Sequence, residues 1–151
     1  MPEWMSGMPE FWKSAGQICL TYVLTLLIGW EREQEEHTTG LRTFPLVGIA
    51  SCGFLLSMGA NAHSDDQSRI LQGLITGIGF VGGGAILKDQ VKVRGTATAA
   101  SIWNAGAIGA AVAMEHYSIA VVLALVNLLT LRALLPLKYR IDNRSRPDPR
   151  E

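Results

Sequence analysis

Charged side chains fall along this chain in blocks, not at helical intervals. Five stretches, Ser14–Trp30, Phe44–Ala60, Leu71–Leu87, Thr96–Met114 and Ser118–Leu135, together hold one charged residue, Arg132. Every other Asp, Glu, Lys and Arg lies between or beyond them. A helix on a water-soluble core shows a polar face every three or four residues, and none of the five does. Each is 17 to 19 residues long, close to what crosses the hydrocarbon core of a bilayer, where a charge is costly. The pattern predicts an all-α, polytopic integral membrane protein with five transmembrane helices. Residues 1–13 form a segment before the membrane domain, 14–135 the domain itself, and 136–151 a short basic tail. Pro147 and Pro149 among its alternating charges mark that tail as irregular.

Averages hide this division. The net charge is zero, with 13 basic and 13 acidic residues, and the mean hydropathy is only +0.23. Counted by side, five spans put Lys13 and Arg69 on one face of the membrane and the remaining 11 basic residues on the other. The positive-inside rule then places the N-terminus outside and the C-terminus in the cytoplasm. Trp4, Trp12 and Tyr117 mark the outer interface, and Trp30 and Tyr139 the inner one. Arg132 lies close enough to a helix end to snorkel into the headgroups. The neutral total excludes the basic surface of a nucleic-acid partner. Lys13 precedes an apolar run in the manner of a signal peptide, but no small-x-small cleavage site follows it. Cys19 and Cys52 lie inside spans, which suggests neither a disulfide framework nor a zinc site.

The third span carries Gly73, Gly77, Gly79, Gly82, Gly83 and Gly84. Its Gly77-x-Gly79-x-x-Gly82 matches the dinucleotide fingerprint but lacks the preceding strand that motif needs. Glycines four apart are expected to admit a neighbouring helix. The other reading is a helix unwound at Gly82–Gly84, whose freed carbonyls bind a cation. The fourth span is as rich in small residues and holds Gly106 and Gly109, so the two are expected to form the packed centre. Asn104 and Asn127 fall at membrane depth, where an amide needs a partner, as a clamp between helices or as part of a polar site. In the first inner loop, Glu31, Glu33, Glu35 and Glu36 could hold hydrated Mg²⁺, or could form a self-neutralised helix end to which Arg42 returns to pair with Glu31 or Glu33. His37, His63 and His116 lie in loops, and nothing places a nucleophile beside a base, so the chain reads as no enzyme.

Four ordered motifs add a resemblance: Gly29-Trp30-Glu31-Arg32-Glu33; Gly40-Leu41-Arg42-Thr43 with Leu46-Val47; Gly77 through Ile86; and Val93 through Trp103 with Ala107-Ile108-Gly109. Over roughly residues 15–117 the chain resembles the membrane domain of the MgtC/SapB family, which includes YhiD-like proteins. The resemblance implies a bacterial inner-membrane protein tied to Mg²⁺ homeostasis or low-Mg²⁺ adaptation. It implies regulation through membrane partners such as ATP synthase, or through a homodimer or other homo-oligomer, with no resident cofactor beyond a possible Mg²⁺. The alternative is a small transporter or channel for Mg²⁺ or another solute. By the same resemblance Glu31, Arg32, Glu33, Arg42, Thr43, Arg69, Asp89, Thr98, Trp103 and Asn104 are candidate functional positions. The chain departs from the family pattern at Gly95-Thr96-Ala97-Thr98, where the polar side chains are shifted by a position. Longer members add a cytoplasmic C-terminal domain, which is not expected here because the sequence ends about sixteen residues after the last span.

Overall fold

The computed structural model describes residues 8–33, 40–59, 63–88 and 93–144. Five helices dominate them: α1 (Met8–Glu33), α2 (Thr43–Leu56), α3 (Ser64–Gly84), α4 (Thr96–Ala113) and α5 (Tyr117–Arg144). The all-helical expectation holds, with one addition in the turn between α3 and α4. There β1 (Leu87–Lys88) and β2 (Val93–Arg94) pair antiparallel, Leu87 with Arg94 and Lys88 with Val93. Gly95 ends that turn at φ +85°, and a Cβ there would run into the carbonyl oxygen of Ala85. Only glycine combines that conformation with so close an approach.

Helix ends differ from the spans read along the sequence. Helix α1 begins in the polar segment and runs past Trp30 to Glu33. Helix α2 stops at Leu56, and at 14 residues is about 21 Å long. Helix α3 starts at Ser64, taking up the polar stretch expected as loop, with Asp65 and Asp66 in its first turn, where carboxylates suit the positive end of the helix dipole. It continues unbroken through Gly82, Gly83 and Gly84 to a cap at Ala85, so the unwound segment proposed there is not present. Helix α5 runs through Pro136 to Arg144, and the irregular tail expected from Pro136 onward is helical for its first nine residues.

Among the described residues one helix, Pro9–Glu33, is long and apolar enough to cross a membrane; Thr43–Leu56 and Tyr117–Ala133 are apolar but shorter. By length and apolarity one of the five expected spans qualifies as a membrane crossing. The other two are weakened by composition: α3 gives its first turns to polar residues, and α4 is built mainly of Ala, Gly and Thr.

Helix α4 is the centre of the bundle and packs against all four others, whereas α3 touches α4 and, less, α2. The interior holds small and polar side chains. Ala105, Cys52, Thr21, Thr25, Ser51, Thr98 and Ser101 are buried, with Phe44, Ile28, Ile102 and Ile108 as the bulky members. Phe54, Phe80, Leu125, Leu129 and Val122 face outward. The interior thus mixes apolar side chains with several small polar ones, while many large apolar side chains lie on the outside.

Candidate functional site

The sequence motifs converge where α1 ends and α4 begins. Arg32, one residue before the end of α1, is 4% exposed, and its Nη2 donates to Oγ1 of Thr98 at 2.6 Å. Thr98 is itself buried, in the first turn of α4. A guanidinium at the C-terminal end of a helix faces the negative end of its dipole, and a hydrogen bond from an ionised donor is among the stronger kinds.

The two flanking carboxylates diverge. Glu31 turns toward α5, where Arg132 Nε (2.9 Å) and Nη2 (2.8 Å) both donate to its Oε2. Arg42, expected to return to Glu31 or Glu33, is exposed at the start of α2, and Arg132 holds Glu31 instead. Arg132 thus joins α5 to α1. Glu33 accepts the backbone N–H of Leu41 at 3.2 Å and so anchors the chain where it returns to α2. Gly29 admits that return: a Cβ there would stand 3.0 Å from the carbonyl oxygen of Gly40 and 3.3 Å from Cα of Leu41. Gly40 in turn leaves room for the Glu33 carboxylate. The pieces Gly29-Trp30-Glu31-Arg32-Glu33, Gly40-Leu41 and Thr98 are therefore one assembled knot.

A seam of polar contacts leads from this knot through the bundle. Ser101 Oγ donates to Oδ1 of Asn127 at 3.1 Å, and both residues are buried. Asn104 Nδ2 donates to the carbonyl of Leu123 at 3.2 Å, tying α4 to α5 as a clamp does. On α1, Thr25 and Thr21 return their hydroxyls to the carbonyls four residues back, at 2.7 and 2.9 Å. Gln17 Nε2 donates across to the carbonyl of Val112 at 2.9 Å. Gln17, Thr21, Thr25, Ile28 and Arg32 are the buried face of α1. Their spacing of four, four, three and four was visible in the sequence as one helical stripe, yet sequence reasoning singled out only Arg32, because uncharged residues at membrane depth passed as ordinary.

The other candidates are scattered. Thr43 is half-buried at the start of α2; Arg69 is exposed in the first turns of α3, at the opposite end of the bundle; Asp89 lies outside the described residues. Trp103 is 47% exposed and stands between two surface grooves. Of the four carboxylates expected to gather, Glu31 and Glu33 have separate partners, and Glu35 and Glu36 lie outside the described residues. Among the described residues no group of three or more His, Cys, Asp or Glu is placed to hold a metal ion.

The glycines divide. Gly106 faces the Ile78 side chain and Ser51, Gly109 lies against the carbonyl of Gly48, and Gly82 lies 3.3 Å, measured from its would-be Cβ, from the carbonyl oxygen of Ala99. At Gly73, Gly77, Gly79, Gly83 and Gly84 an added Cβ meets nothing within 4 Å. Close approach thus falls on α4, on Gly82 as expected, and on Gly48 and Gly29, which the sequence reading had not assigned to packing.

Residues 18–140 match the MgtC family. The chain is 32% identical over 126 residues to YhiD of Escherichia coli (strain K12), named as a candidate magnesium transporter; the match covers 78% of this chain and 59% of that protein. It is 32% identical over 117 residues to protein MgtC of Brucella abortus, covering 76% and 49% of the two chains. It is 39% identical over 87 residues to protein MgtC of Salmonella typhimurium, covering 58% and 37%. The chain spans about half the length of the curated relatives it matches. No solved structure matches it.

Proposed function

The chain belongs to the MgtC family, and from that membership we propose that it is a five-span inner-membrane protein of Mg²⁺ homeostasis. It acts as a non-enzymatic regulator through contacts with other membrane proteins or a second copy of itself. The observation that carries the membrane part is the number of large apolar side chains on the outside, Phe, Leu and Val among them, over an interior that also holds Thr, Ser, Gln and Asn. Hydrocarbon is the solvent that makes such a surface stable. The open glycine face of α3 supports the contact part, because it offers small residues that none of the described residues covers. ATP synthase is the partner the family resemblance suggests.

The test is copurification from native membranes. Gly77→Leu and Gly83→Leu fill open positions, so both variants fold and both lose the associated protein or the dimer. Association at the wild-type level in both would end the contact reading.

The buried seam from Gln17 to Arg32 favours a second reading, a path for a small solute. Under that reading purified proteoliposomes show flux that the double variant Glu31→Gln, Asn104→Ala abolishes. Flux no higher than in empty vesicles, for divalent ions and phosphate alike, removes it.

A further inference from the structure

The end of the bundle opposite the Arg32 knot is open. A cavity of about 650 Å³, lined by both polar and apolar side chains, lies there between α1, the end of α2, the start of α3 and the end of α4, a size within the range of small-molecule sites. The charged groups lining it are Glu10, Lys13 and Glu115, with Gln17 among its other polar residues. Lys13 Nζ and Glu115 Oε1 pair at 2.5 Å, and both side chains remain more than half exposed. Trp12 and Tyr117, exposed at the same level, mark headgroup depth.

An apolar groove of about 370 Å³ adjoins this cavity; Leu71, Met114 and His116 line both. The groove runs between α3 and α5 over α4 as far as Trp103. From Met114 to Trp103 is eleven residues of α4, about 16 Å of helix rise. That is close to half the thickness of a bilayer's hydrocarbon core. A chamber with a charged rim at headgroup depth, opening onto an apolar channel one leaflet deep, has the shape of a lipid.

Charge selects the headgroup. Two carboxylates and one ammonium at the rim disfavour an anionic head, whereas a zwitterionic one satisfies both members of the exposed pair. Parting that pair costs little, because water and salt already weaken it. We propose that the cavity and groove together bind one ethanolamine glycerophospholipid, whose primary ammonium, unlike the quaternary one of choline, has N–H groups to donate to Glu115. Its phosphate sits at Lys13, its ammonium at Glu115, and one acyl chain lies along α4 to Trp103. This rests on the membrane reading above, but not on any partner or transport role.

The experiment uses the full chain with W4F, W12F and W30F, so that Trp103 is the single fluorophore, reconstituted in phosphatidylcholine vesicles. Phosphatidylethanolamine or phosphatidylglycerol with brominated acyl chains is added as a minor component, and quenching of Trp103 is read. Bulk lipid quenches equally from either source, so a site shows as quenching by the ethanolamine lipid at severalfold lower content. Glu115→Gln, which keeps the shape and removes the ammonium acceptor, raises the content required a few-fold, the scale of an exposed ion pair. Equal quenching by the two lipids, unaltered in Glu115→Gln, overturns the site while leaving the membrane reading intact. Stronger quenching by phosphatidylglycerol also overturns it. No quenching by any brominated lipid overturns the membrane reading with it.

Discussion

Helices α3 and α4 look alike as sequence and behave oppositely as structure. Both are rich in small residues and carry glycines at helical spacings, yet α4 is surrounded by all four other helices while α3 leans on one side and leaves most of itself exposed. What separates them is the facing helix. Opposite Gly109 stands the backbone of Gly48, and Gly48 is met from its other side by the methyl groups of Thr25 and Thr21, which an added Cβ would touch at 2.7 and 3.2 Å. Small residues on α4, α2 and α1 are thus stacked in register, and three backbones come close together. Opposite Gly77 and Gly83 none of the described residues comes within 4 Å of where a Cβ would stand. A glycine pattern states that a helix can be approached, and the partner's residues decide whether it is.

The sharpest way to break this comparison is a single methyl group on each helix. In Gly109→Ala the new Cβ would run into the carbonyl of Gly48, an atom that moves only if α2 moves with it. Overpacking of this kind costs about 3 kcal/mol, read as a fall in the unfolding midpoint in detergent. Next in size is Thr98→Val, which removes a hydroxyl acceptor from the buried Arg32. It costs about 2 kcal/mol, as charge-assisted hydrogen bonds do, and Thr98→Ser restores most of it. On α3 the sign reverses: Gly83→Ala meets open space and stabilises the helix by up to about 0.5 kcal/mol through lower backbone entropy. Equal losses at Gly109 and Gly83 would show that the two helices do not differ as described.

Much of the fold was legible in where charges are absent, since hydrocarbon exacts a cost for each one. Five apolar stretches became five helices. Their ends were less legible, because a helix continues into polar residues wherever its backbone bonds are met, as from Ser64 to Ile70 and beyond Pro136. The Arg32–Thr98 contact joins residues 66 apart in sequence, and both were named by family resemblance; only the structure makes them one site. Arg132 illustrates the limit. Its position near the end of the expected span suggested headgroups, but α5 continues twelve residues beyond it to Arg144, and its partner is Glu31, 101 residues away. Pairings at that range depend on which helices meet, and hydropathy carries no information on that.

The smallest expected effect concerns the open end. Glu115 follows the end of α4 at φ 62°, and the next backbone N–H, that of His116, returns to the carbonyl of Ala111 at 2.8 Å. This is the left-handed helix stop that glycine favours. A side chain in that conformation costs about 1 kcal/mol, so Glu115→Gly relieves strain. It also loses the exposed pair with Lys13, which contributes little. Thermal unfolding in detergent therefore shows a midpoint unchanged or slightly raised. The same variant loses the preference of Trp103 quenching for the ethanolamine lipid. A stability gain coupled to a binding loss means the carboxylate stands there for its ligand and not for the fold; a marked destabilisation would instead make the Lys13–Glu115 pair a structural tie between α1 and the α4–α5 turn.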